Sequence, residues 1–145
     1  MSRLTLAIAD RIAEETLEAG RSRDAAPLTV AVLDSGGHVV VLKRSDDSGI
    51  LRCEIAYGKA WGALGMGLPT RTLGERAQTN PSFFAALAAS SHGRLIPVPG
   101  GVLLRDQNGT LLGAVGVSGD TSDVDEECAV AAIRACNLVA ETGQA

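Results

Sequence analysis

The chain has 145 residues, 46% of them hydrophobic and 21% charged, and a formal net charge of -4. That composition fits one soluble globular domain with one real core. Because both signs are interspersed along an acidic chain, it argues against nucleic acid or an anionic membrane surface as the main partner.

Aromatic residues are only 3%, so the core must be built from Ala, Val, Leu and Ile. Residues 4–19 read as an amphipathic helix, with Leu4, Ile8 and Ile12 in one row, Ala9, Ala13 and Leu17 in the next, and Gly20 as its stop. Runs 28–34 and 38–44 flank Asp34-Ser-Gly-Gly and read as a β-hairpin. Both runs are nearly continuously apolar, which predicts that both faces are covered. A second helix follows over 49–65 with Ser48 as cap, and Cys53, Ala56, Ala60 and Ala63 share one face. Pro69 stops it, and 69–79 reads as irregular. Asn80-Pro81 opens a short helix to about Ser90, ended by His92-Gly93. Strands are expected at 95–98, 101–106 and 110–118, the last two joined by an Asn108-Gly109 turn. Residues 123–142 read as the final helix. This order lacks regular strand–helix alternation, so it predicts an α+β fold: a five-stranded antiparallel sheet with helices packed on it.

Cys53, Cys128 and Cys136 form no CxxC pair, which predicts neither a disulfide framework nor a zinc site. Charges interrupt residues 1–17, so no secretory leader is read there, and no run of eighteen apolar residues spans a membrane. The expected address is the cytoplasm.

The stretch GVSGDTSDVDEECA, residues 116–129, crowds glycines and acids at a strand–helix junction. Its first-turn acids would repel a free phosphate. Ser122-x-x-Asp125 and Asp123-x-x-Glu126 resemble capping boxes. Gly113, Gly116 and Gly119 recur every third residue, which predicts a close approach to the sheet by a ligand or a neighbouring subunit. Asp125 continues through Ala129, Ala132 and Cys136 in one helical row, so it is the carboxylate expected to turn inward.

Four ordered motifs, VAVLDSGGHVVVLKRSD, IAYGKA with GLPT, PGGVLLRDQNGTLLGAVGVSG and DEECA, resemble the GlcG/HbpS-like haem-binding domain family. This domain also forms the C-terminal part of PduO-type corrinoid adenosyltransferases. The resemblance covers about residues 4–140. It departs at Gly100-Gly101-Val102-Leu103, where the family often carries proline, and at Val124-Asp125, where Gln-Asp is common. It implies a profilin-like α/β fold, homo-oligomers (dimers building to tetramers or octamers), and haem or corrinoid-related roles for some members.

Haem needs cations for its carboxylates and usually an axial ligand such as His, Cys, Tyr or Met. His38 and His92 lie in glycine turns, and Tyr57 lies on the second helix as a somewhat better candidate. A smaller acid offers a second reading. Arg44 and Lys59, both at positions matching the family pattern, could meet near Pro99-Gly100-Gly101 and Val117-Ser118-Gly119. Asp125 could hydrogen-bond a ligand there or, with Lys59, act as acid/base in an enzyme on the same fold. No GxSxG elbow, HExxH or EF-hand spacing is present. The leading expectation is a small-ligand-binding oligomer with haem or a related tetrapyrrole first. An enzyme acting on a small carboxylate or carbonyl compound comes second, and a structural or accessory partner third.

Overall fold

The structure is a computed structural model and describes residues 3–144. The elements run α1 (Leu6–Ser22), β1 (Thr29–Asp34), β2 (Val39–Arg44), α2 (Leu51–Met66), α3 (Thr70–Thr79), α4 (Pro81–Ser90), β3 (Gly101–Arg105), β4 (Leu111–Ser118), α5 (Ser122–Ala135) and β5 (Val139–Glu141). The strands form one sheet in the order β2-β1-β4-β3-β5, with every neighbouring pair antiparallel.

Strand alternation sorts the sheet's residues onto two faces. Val30, Val32, Val102, Leu104, Val115 and Val117 face α1 and α5 and join Ile12, Ala13, Cys128 and Ile133 in the larger core. Ala31, Leu33, Leu103 and Ala114 face α2, where Ala56, Ala60 and Ala63 meet them. Leu73, Phe84 and Leu95 make a small third cluster under α3 and α4. Covering the sheet on both faces explains why the central strands read as continuous apolar runs.

Each hairpin turn is built by an aspartate. Asp34 Oδ1 accepts from the Gly36 and His38 backbone N–H groups at 3.0 Å each. Asp106 Oδ1 does the same for Asn108 and Thr110 at 2.9 Å each. Such Asx turns satisfy loop N–H groups that no strand can reach.

Several expectations are corrected. β1 is covered on both faces, but β2 is an edge strand with Val39, Leu42 and Arg44 exposed. Residues 95–98 are not a strand; the fifth strand is β5, taken from what read as the end of the last helix. Asn137 adopts a left-handed φ of 59° just after α5, which turns the chain back to the sheet. Residues 70–79 are helix α3 rather than irregular. Gly20 lies inside α1, packed against Leu28, so the helix runs on to Ser22. Ser48 does not cap α2; its hydroxyl is buried against Thr29 Oγ1 at 2.8 Å.

Candidate functional site

Lys59 falls three residues after Ala56 and four before Ala63, on the stripe of α2 that faces the sheet. Its long side chain is therefore forced inward, and it is only 2% exposed. α2 sits unusually deep because Gly101 and Gly116, cross-strand partners on β3 and β4, lie beneath it. A Cβ on Gly116 would stand 1.9 Å from the Ala56 carbonyl oxygen, and one on Gly101 would stand 2.4 Å from that of Lys59. Of the three glycines where a close approach was expected, Gly116 is met by the protein's own α2, Gly113 by the Leu33 carbonyl of neighbouring β1, and Gly119 by the Pro27 carbonyl.

From this depth Lys59 Nζ donates to the Val117 carbonyl at 2.8 Å and to Asp125 Oδ2 at 3.2 Å. Asp125 is 1% exposed, and its Oδ1 accepts from the Asp120 N–H at 2.9 Å. Gly100, at φ 121°, completes the enclosure: a Cβ there would come within 2.7 Å of Nζ. Burial pushes the Lys59 ammonium down and the Asp125 carboxyl up, while the paired charge opposes each shift. Among the described residues, five of the surface cavities lie elsewhere, with neither Lys59 nor Asp125 in their walls. Asp125 does turn inward as expected, but toward a lysine instead of a cavity. Chemically the pair is a sealed clamp joining α2, the loop at Gly100, the end of β4 and the start of α5.

The other acids of the 116–129 stretch divide between caps and pairs. Thr121, not Ser122 or Asp123, is the N-cap, accepting from Val124 N–H at 3.3 Å. Asp120 accepts from the Ala26 and Thr121 backbone. Arg71 bridges exposed Asp123 and buried Glu126. Burial of Glu126 was not foreseen from the sequence.

Of the residues predicted to share a site, Lys59, Gly100, Gly101, Val117 and Asp125 meet. Pro99 is half-buried beside them in sequence. Ser118 is buried and its hydroxyl is bound by Arg52 Nη1 at 3.0 Å, while Gly119 packs against the Pro27 carbonyl. Arg44 does not join them. It is exposed at the sheet's edge, donates to the Ser48 carbonyl at 2.7 Å, and lines a groove beside α1. His38 is exposed, and its Nδ1 lies 3.2 Å from Asp34 Oδ1. Among the described residues no cluster of His, Cys, Asp and Glu could hold a bare metal ion.

A different site appears where the segment after α4 crosses α2. Gly58 permits the crossing, since a Cβ there would meet the Arg94 carbonyl oxygen at 2.2 Å. Beside it opens a groove of about 500 Å3, lined by Leu51, Glu54, Ile55, Tyr57, His92, Gly93, Arg94 and Ile96. His92 holds a left-handed φ of 55° in the turn that ends α4. Tyr57 stacks on Trp61, one helical turn along α2, with ring centroids 6.5 Å apart. Arg94 lies over the Trp61 ring at 4.2 Å. Tyr57 and His92 are separate candidates in the sequence, and the structure brings both onto one groove. The legible signal was the interleaved spacing on α2, with Tyr57 and Trp61 four residues apart and Gly58 and Gly62 beside them.

Residues 4–134 match the model of a protein family described as Haem degrading protein HbpS-like. An uncharacterized 15.0 kDa protein from the dhaT-dhaS intergenic region of Citrobacter freundii is 32% identical over 132 residues, covering 90% of this chain and 89% of that protein. The corrinoid adenosyltransferase PduO of the same organism is 30% identical over 112 residues, 77% of this chain; the match spans only 33% of PduO. Among solved structures, a PduOC–haem complex superposes with a TM-score of 0.86 at 26% identity, covering 97% of this chain and 99% of that one. A double mutant of Streptomyces reticuli HbpS superposes at 0.78 and 26% identity, covering 93% and 88%.

Proposed function

The chain belongs to the HbpS-like family, and from that premise we propose that it binds haem or a related tetrapyrrole in the groove between α2 and the 92–96 segment. The observation that carries this reading is one apolar groove with His92 and Tyr57 on its wall. The residues present fit the group. Leu51, Ile55 and Ile96 supply apolar walls for a macrocycle, a volume of about 500 Å3 is that of a small-molecule site, and Arg94 offers a cation at the rim. His92 is the favoured axial ligand. Its ring makes no hydrogen bond among the described residues, whereas His38 is engaged by Asp34.

Haemin titration followed by absorbance tests the reading. A saturable Soret shift in the wild type is expected. It should be lost in His92→Asn, a replacement that tolerates the left-handed backbone, reduced in Tyr57→Phe and unchanged in His38→Ala. Weak, nonsaturating binding insensitive to all three would refute it.

The same proposal includes self-association and a cytoplasmic address. Ile50 before α2 is 87% exposed, and Val39 and Leu42 on the edge strand are 48% and 46% exposed, which supports burial of this apolar surface in a homo-oligomer. Free Cys53, Cys128 and Cys136 support a reducing compartment. Among the described residues no helix is long and apolar enough to cross a membrane.

A further inference from the structure

We propose that Arg94 is the specificity residue of the groove: it selects ligands that carry a carboxylate and fixes which edge of the ligand lies beside it. This rests on the haem reading above and adds to it a named partner for the ligand's acid groups.

Arg94 is held in place before any ligand arrives. Its guanidinium carbon lies 4.2 Å from the Trp61 ring centroid, and its Nε donates to the Ser91 carbonyl at 3.0 Å. Ser91 is itself fixed, because its N–H donates to the Leu87 carbonyl and its hydroxyl accepts from Leu95 N–H at 3.2 Å. The arginine is therefore rooted in the turn that ends α4.

Its charge is unspent. Arg21, Arg23, Arg71 and Arg105 each pair with a carboxylate. Arg94 has no carboxylate within ion-pair distance among the described residues, and its terminal nitrogens have no protein acceptor there. Arg94 thus lines the apolar groove, and its planar fork of donors rests on the ring of Trp61, which stacks on the groove residue Tyr57. That arrangement matches a carboxylate, which can accept two parallel N–H bonds from one guanidinium. The groove's single carboxylate is Glu54, in the first turn of α2. An acidic ligand is repelled there and attracted at Arg94, so the two residues orient it.

The test compares haemin with its dimethyl ester, which keeps the macrocycle and iron but has no free carboxylates. Absorbance titrations are run on wild type, Arg94→Gln, Arg94→Lys and Glu54→Gln, with far-UV circular dichroism to confirm folding. Wild type is expected to bind haemin about tenfold tighter than the ester, the scale of one charged hydrogen-bond pair at a half-open site. Arg94→Gln should erase that ratio by weakening haemin alone. Arg94→Lys should restore part of it, and Glu54→Gln should tighten haemin without changing the ester. An unchanged haemin-to-ester ratio in Arg94→Gln, with binding otherwise intact, would overturn the role of Arg94 and leave the haem reading standing. Failure of both ligands to saturate any variant would overturn the haem reading and the Arg94 role with it.

Discussion

The Lys59–Asp125 clamp makes the sharpest quantitative claim. Replacing Lys59 with Met leaves the Asp125 carboxylate at 1% exposure with one remaining bond, from the Asp120 N–H. Replacing Asp125 with Asn leaves the Lys59 ammonium buried with only the Val117 carbonyl. Breaking a buried pair from one side costs about 3–5 kcal/mol, because an uncompensated charge stays behind. The double variant removes both charges. It retains an amide oxygen for Asp120 and loses chiefly the donor to Val117, an unmet acceptor worth about 1–3 kcal/mol. Additivity would predict about 6–10 kcal/mol for the double change, close to the whole stability of a typical domain. We expect about 1–3 instead, so the double variant should be more stable than either single one. Urea unfolding followed by circular dichroism, extrapolated to water, measures all four corners of the cycle. Additive singles, or singles costing under about 1 kcal/mol, would show that solvent reaches the pair and would refute the sealed-clamp account.

The same clamp predicts a pH signature. Burial raises the folded-state pKa of Asp125 above 3.8, so its contribution favours folding at low pH and is lost as pH rises through the folded value. Asp125→Asn lacks that component, so the stability difference between wild type and Asp125→Asn should shift against wild type over that window; a difference flat in pH there would contradict it. Gly116→Ala should destabilise by about 3 kcal/mol or more, since the new methyl meets the backbone oxygen of Ala56 and neither helix nor strand can yield cheaply. A thermal melt within a degree or two of wild type would show that α2 is not seated as described. Asp106→Ala removes the acceptor of two backbone N–H groups at a residue 6% exposed and should cost about 1–3 kcal/mol, read as a lower urea midpoint.

The fold was largely legible because its signals are local. The Asp34 and Asn108-Gly109 turns mark hairpins within a few residues, and the Ala56, Ala60, Ala63 stripe marks the buried side of α2. Where reading failed, the deciding contact was remote. Residues 70–79 carry few apolar side chains, yet buried Leu73 and Thr70 pin them as a helix; Thr70 Oγ1 accepts from the Gly101 N–H at 2.7 Å. Residues 139–141 look like a continuing helix until β3 offers its free edge, which pairs Leu104 with Ala140.

The candidate site divides along the same line. Glycine spacing reports that something comes close to a backbone, but not what. At Gly101 and Gly116 the visitor is α2, which turns a presumed ligand surface into core and draws Lys59 down to Asp125. At Gly58 the visitor is the Arg94 backbone, and this contact holds His92, Arg94 and Ile96 beside Tyr57. The two sets of candidate residues therefore differ in access. Lys59 and Asp125 close on each other away from solvent, while Arg44 stays apart at the sheet's edge. The turn histidine and helix tyrosine, separate ligand candidates in the sequence, line one open groove because two small gaps on α2 let a distant loop settle there.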